Sequence, residues 1–300
     1  MEIQSSGPGP TNDCGGDVWV RTCLNAVTTG YPGSLHDWLS IAARHGFDGA
    51  EFPLGELAAI VEEQGEDAAR GLQADSGVRL SVFGLPVDWR GSETAFRDGL
   101  RSLERQVGAA AAVGCSRAST FVAPTVPDGL PPALHAIRCV RRLRACCEVL
   151  GAHGISLAIE WVGTPSLRAG RVPFLWTAEH AVELCDSIGL PNAGLLLDSW
   201  HWFTTGADAA DLDLVPATRI VHVHINDAPA LPLPDQRDNV RLLPGASGQI
   251  DVVSMLRRLR DVGYDGYIAV ETFSVDLPRL GVDAAAGRAR AAIDSVWRQM

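Results

Sequence analysis

Eight short apolar runs recur along this 300-residue chain, separated by longer stretches with helical periodicity. They are VWVRTCL (18–24), GAEFP (49–53), RLSVFGL (79–85), RASTFVA (117–123), ISLAIEW (155–161), AGLLLDS (193–199), RIVHVHIND (219–227) and YIAVETF (267–273). Helical patterns fall between or after them, near 34–45, 55–76, 93–113, 133–153, 177–189, 208–215, 251–262 and 283–298. Strands alternating with helices indicate βα units around a parallel sheet. Several helical stretches end on a glycine just before the next run, as in RHGFDGAEF and AHGISLAIE, where a left-handed residue stops the helix. No linker rich in Gly, Ser or Pro divides the units, so residues 17–300 are predicted to form one α/β domain, a single (β/α)8 TIM barrel. A doubly wound open sheet would normally carry a glycine-rich phosphate turn after an early strand. Here GPGPTNDCGG precedes the first run and GASGQID comes near the end.

Composition narrows the function classes. A formal net charge of −11 argues against a protein whose main task is gripping nucleic acid phosphates or an anionic membrane, since either would repel it. The first 16 residues lack the basic start and apolar run of a signal peptide and read as a flexible leader. No apolar stretch approaches the ~18–20 residues that span a bilayer. Cys14, Cys23, Cys115, Cys139, Cys146, Cys147 and Cys185 are odd in number and show no CxxC spacing, which suits packing in a reducing cytoplasm rather than a disulfide or zinc-finger framework.

Barrel enzymes place their chemistry at the C-terminal ends of the strands. The fifth run ends in Glu160, the sixth in Asp198, the seventh holds His222 and His224, and the eighth ends in Glu271. Residues two apart share a strand face, so His222 and His224 point the same way, with His224 nearer the C-terminal end. His224 is therefore the better ligand, and His222 reads as a supporting or core residue one layer deeper. Glu160, Asp198, His224 and Glu271 together make three oxygen donors and one nitrogen donor. Buried carboxylates repel one another unless a cation lies among them, so one divalent metal ion is expected, with Mn2+, Co2+, Zn2+ and Mg2+ all compatible.

The segments LAIEW, LLLDSWH, VHVHINDA and RLLPGASGQIDVVSMLRRLRDVGYDGYIAVETF resemble the xylose isomerase-like barrel superfamily, nearest to its sugar phosphate isomerase/epimerase and keto-inositol isomerase group. The resemblance follows element order over roughly 18–300 and is sharpest from 155 onward. It implies that Glu160, Asp198, His224 and Glu271 are the metal ligands and that His201 contacts substrate oxygens. It further implies an arginine beside the substrate, for which Arg237 and Arg241 are the candidates, and a glutamate at Glu51, a substrate-binding candidate whose role the resemblance leaves open. Trp161 and Trp200 adjoin the ligands in sequence and are candidates for stacking on a sugar or cyclitol ring, as is Trp202. DWRGS (88–92) and SLRAGR (166–171) are candidate lids, with Arg90, Arg168 and Arg171 available to an anion or to solvent.

The implied activity is a metal-dependent isomerase or epimerase of a ketose, keto-cyclitol or related polyhydroxy carbonyl compound. Glu160 and Glu271 would exchange a proton on the carbon beside a metal-polarised carbonyl, through an enediolate. A lyase that dehydrates a dehydroshikimate or keto-inositol type of substrate would use the same groups and is the principal alternative. An endonuclease acting at abasic sites would need further histidines at earlier strand ends and an Asp-x-His pair after the seventh. The chain has VFGLP, TFVAP and DQRD at those places. The resemblance also implies pairing of barrels into a homodimer through the mouth.

Overall fold

The computed structural model describes residues 20–274 and 276–300. The expected leader, Cys14 and the start of the first apolar run lie outside the described residues. Eight parallel strands, β1 (Arg21–Leu24), β2 (Gly49–Phe52), β3 (Arg79–Gly84), β4 (Arg117–Val122), β5 (Ser156–Trp161), β6 (Ala193–Asp198), β7 (Ile220–Ile225) and β8 (Tyr267–Val270), close in sequence order into a barrel. Closure is made by β8 on β1, with Thr22 opposite Ile268. The longer helices outside it are α1 (Leu35–Arg44), α2 (Leu54–Gln64), α3 (Glu66–Ser76), α4 (Glu93–Ala112), α5 (Pro132–Gly151), α6 (Ala178–Ile188), α7 (Val252–Asp261) and α8 (Val282–Trp297). The chain is thus the expected single (β/α)8 barrel.

Local sequence explains these elements. In α1, Ser34 caps the first turn by accepting from the Asp37 amide, and Leu35, Trp38, Leu39 and Ala42 recur at the spacing that puts them on one buried face. The helix expected over 55–76 is two helices, because Gly65 takes φ +86°, a conformation that ends α2 and starts α3 at a new angle. The helix expected over 208–215 is a 3-10 segment, Ala209–Leu214. There the Asp211 carboxylate accepts from the Asp208 amide, offering the backbone an alternative to the helical ladder.

Alternation along the strands divides the interior in two. Leu157, Ile159 and Trp161 of β5, and Leu195 and Leu197 of β6, join the main core between sheet and helices. Their neighbours Ala158, Glu160, Leu196 and Asp198 therefore face the barrel axis. Toward the N-terminal end the axis is filled by a small cluster of Cys23, Tyr267 and Ala269, with Cys23 Sγ 2.9 Å from Ser81 Oγ. The six described cysteines are unpaired and buried. No described helix is long and apolar enough to cross a membrane.

Candidate metal centre

The polar ring lies above this packed layer. Glu160 is the penultimate residue of β5, Asp198 ends β6, His224 lies near the end of β7, and Glu271 follows β8 directly. Parallel pairing places Asp198 opposite His224. One ligand atom from each of the four residues falls within 4.8 Å of all the others. The Asp198 carboxylate is divided between two tasks. Oδ1 accepts from the Trp200 amide at 2.7 Å and Asn226 Nδ2 at 3.0 Å, while Oδ2 faces the ring, 3.9 Å from His224 Nδ1. Glu271 Oε2 is 3.4 Å from the same nitrogen.

Two atoms of the ring, Glu160 Oε1 and His224 Nδ1, are buried without a hydrogen-bond partner. Each such group costs about 1–3 kcal/mol unless something satisfies it. An ion held by three carboxylates and one imidazole would satisfy both, so the donor set fits a divalent metal. The electrostatics point the same way. Burial, then the charges of Glu271 and Asp198, push the Glu160 carboxyl well above the usual carboxylate range. Burial opposes a charged His224, yet Glu271 and Glu51 outweigh it and hold the imidazole well above its ordinary value.

Glu51 supports the ring from below. A register shift between Ala50 and Glu51 in the pairing of β2 with β3 marks an irregularity of the kind that re-aims a side chain. Glu51 Oε1 then lies 3.0 Å from His222 Nε2 and 3.1 Å from His224 Nε2, while Oε2 accepts from Asn25 Nδ2 at 3.0 Å. Glu51, a substrate-binding candidate in the sequence, thus holds the histidine ring by Nε2 and leaves Nδ1 facing Glu271 and Asp198. Burial raises the Glu51 carboxyl, but the two histidines more than reverse this and keep it ionised. His222 is fully buried, as its deeper position in the strand suggested.

His201 sits in the single helical turn Ser199–Thr204 that Asp198 caps. Gly163 donates its amide to His201 Nδ1 at 3.2 Å, and a Cβ on that glycine would come within 2.3 Å of the His201 carbonyl oxygen. Burial and the nearby Arg241 charge pull the imidazole down to about 3, so it is neutral, with its proton on Nε2. That nitrogen lies 3.8 Å from Glu160 Oε1, 3.9 Å from Asp238 Oδ1 and 3.2 Å from Arg241 Nη2.

Arg241 is the arginine of the site. Its Nη1 donates to both Asp198 Oδ2 and Glu271 Oε2 at 2.9 Å, and Nη2 donates to Asp238 Oδ1 at 2.9 Å. Burial works against its charge, but Asp198, Glu271, Asp238 and Glu160 more than compensate. Arg237, the other candidate, is exposed and donates to the carbonyls of Pro234 and Gln236 in its own turn. Arg241 owes its place to Asp227. This fully buried carboxylate accepts from the amides of Ala228, Ser247, Gly248 and Ile250, and the Asp227 backbone pairs with Leu242.

The tryptophans do not line an open pocket. Trp161 lies on the outer face of β5 in the main core, fully buried. Trp200 is also fully buried, donates to Thr164 Oγ1 at 2.9 Å and backs the guanidinium, its ring centre 5.6 Å from Arg241 Cζ. The aromatic ring that covers Arg241 from the open side is the partly exposed Phe273, 4.5 Å away. Phe273, Asn226, Asp227 and Asp238 were missed in the sequence. Only Asn226 and Asp227 carried a signal there, as polar residues ending the seventh run.

The fold and site together define a (β/α)8 protein whose C-terminal face gathers Glu, Asp, His and Glu from four successive strands. The chain belongs to the xylose isomerase-like TIM barrel family, whose profile matches residues 39–298. Among curated relatives, the inosose isomerase of Halalkalibacterium halodurans is 29% identical over 147 residues, 49% of this chain and 50% of that enzyme. A xylose isomerase domain protein of Alicyclobacillus acidocaldarius has a similar structure, with a TM-score of 0.82 at 30% identity over 92% of this chain and 98% of the other. The zinc-bound IOLI protein shares the fold, with a TM-score of 0.78 at 20% identity over 93% of this chain and 99% of that one.

Proposed function

We propose that this protein is a divalent-metal-dependent isomerase or epimerase of a ketose, keto-cyclitol or related polyhydroxy carbonyl compound. The observation that carries the reading is the convergence of Glu160, Asp198, His224 and Glu271 within 4.8 Å, with Glu160 Oε1 and His224 Nδ1 otherwise unsatisfied. These four residues would hold the ion. When bound, it would polarise a substrate carbonyl and make the neighbouring C–H more acidic.

The chain's own groups supply the proton handling. The ring pushes its glutamates apart: Glu160 is raised, whereas His224 and Arg241 outweigh burial and hold Glu271 low. Glu160 and Glu271 enter the ring from β5 and from the end of β8, an arrangement that suits removal of a proton by one and its return by the other. With the His201 proton on Nε2, as the Gly163 amide donating to Nδ1 requires, that N–H and the Arg241 Nη2 group lie side by side, 3.2 Å apart between their nitrogens. A substrate oxygen accepting from both would relieve two adjacent donors and be held beside Glu160. Inosose isomerase among the relatives supports the same reaction class.

The test is incubation of the Mn2+- or Co2+-reconstituted protein with D-fructose and a keto-inositol in D2O. Deuterium incorporation at carbon with the carbon skeleton and water content unchanged is the expected result. Loss of one water would mark a lyase instead, and no exchange with any ion would overturn the reading.

A further inference from the structure

We infer that Asp238 is a specificity-determining residue of this site, which accepts a hydrogen bond from a substrate hydroxyl and excludes substrates that carry a phosphate or carboxylate. The inference rests on the proposed isomerase site and concerns which polyhydroxy carbonyl compounds enter it.

Asp238 lies in the connection from β7 to α7 and is tied to the ring through a single guanidinium. Its Oδ1 accepts from Arg241 Nη2 at 2.9 Å and from Thr164 Oγ1 at 3.2 Å, and lies 3.9 Å from His201 Nε2. Its Oδ2 has no hydrogen bond among the described residues. The side chain is 29% exposed, against 13% or less for the four ring ligands, so this carboxylate borders the opening rather than the buried ring. An unengaged carboxylate oxygen beside the substrate-facing donors is an acceptor that a hydroxyl satisfies and an anion does not.

The guanidinium inside the ring is already largely committed. Arg241 spends Nη1 on Asp198 and Glu271, Nε on the Asp238 carbonyl and one N–H of Nη2 on the Asp238 carboxylate. That leaves the single N–H beside His201, flanked by Glu160 and Asp238. Farther out, Arg237 closes its own turn, Arg168 stacks on Trp176 at 3.8 Å with its Nη1 unpartnered, and Arg90 donates to the Phe121 carbonyl while covering its ring at 4.0 Å. Five carboxylates, Glu51, Glu160, Asp198, Asp238 and Glu271, face one guanidinium and would share one divalent ion. A phosphate or carboxylate entering the ring meets net negative charge and a single guanidinium N–H rather than a bidentate partner. A neutral polyol meets acceptors for its hydroxyls.

Asp238→Asn tests this, because asparagine keeps an oxygen for Thr164 and Arg241 while removing the charge. Binding of D-fructose, D-fructose 6-phosphate and 3-dehydroshikimate to the Mn2+-reconstituted wild type and variant is measured by saturation-transfer NMR, and turnover of each in D2O. Circular dichroism and metal content confirm that the variant is folded and loaded. In the wild type D-fructose is expected to bind at least ~10-fold more tightly than either anion, and in Asp238→Asn that ratio is expected to fall by about 10-fold, the size of one charged hydrogen bond. Equal binding of the anions by the wild type, or an unchanged ratio in the variant, overturns the assignment. Deuterium exchange accompanied by an unchanged ratio leaves the isomerase reading intact. Selective binding without exchange into any substrate overturns that reading and leaves Asp238 in place. Binding of none of the three overturns both.

Discussion

Glu51 Oε1 lies 3.1 Å from His224 Nε2, so the carboxylate grips one side of the imidazole and presents the other, Nδ1, to Asp198 and Glu271. A partner of this kind fixes both the tautomer and the orientation of a metal-binding histidine.

Replacing Glu51 with Gln removes the charge and keeps the shape. Metal affinity is expected to fall by about 10–100-fold, the usual effect of losing such a partner. Titration of the metal-free protein with Co2+, followed by its visible absorption, measures this. Unchanged affinity would show that Glu51 does not set the orientation of His224.

Asp198→Asn separates the two tasks of that residue. Asparagine still caps the turn by accepting from the Trp200 amide, so the barrel should fold with an unchanged circular dichroism spectrum. Metal-dependent exchange in D2O should drop to background, because the anionic oxygen facing the ring is gone. A fully active variant would remove Asp198 from the ligand set.

Asp227 acts on the site only through the chain. Asp227→Ala strands four backbone amides, and urea unfolding should register a loss of about 3 kcal/mol or more. Arg241 then loses the anchored segment that positions it. A stability loss under ~1 kcal/mol would mean that water replaces the carboxylate and that this loop is not held by Asp227.

The buried thiols predict an alkaline limit. Burial pushes Cys115, Cys146, Cys147 and Cys185 up to about 12. In the unfolded chain a thiol titrates near 8.5, so above about pH 9 the unfolded state releases protons that the folded state keeps. Stability from these groups is complete below pH 8 and is lost as pH rises toward 12. In a Cys14→Ser chain, a thiol reagent at pH 8 should label nothing until urea unfolds the protein; rapid labelling of the native chain would contradict this burial.

The eight βα units and the four residues of the ring were legible in the sequence for a simple reason. Strand residues alternate faces and barrel chemistry sits at strand ends, so a polar residue closing an apolar run has only one place to go. Asp198, ending GLLLD, needed no knowledge of any distant residue. The rest depended on partners far along the chain. Gly65 split one helical pattern because its own φ, not the pattern around it, set the angle between α2 and α3. Arg237 and Arg241 look equivalent in sequence, and only the pairing of Asp227 with Leu242 decides which enters the ring. Trp161 adjoins a ligand in sequence yet turns its back on it, because neighbours on a strand face opposite ways. Glu51 and His224 stand 173 positions apart, and a local irregularity in β2 brings them together. Local periodicity thus determined the barrel and the residues of its polar ring, while long-range hydrogen bonds, which no local pattern encodes, decided how those residues are held and what surrounds them.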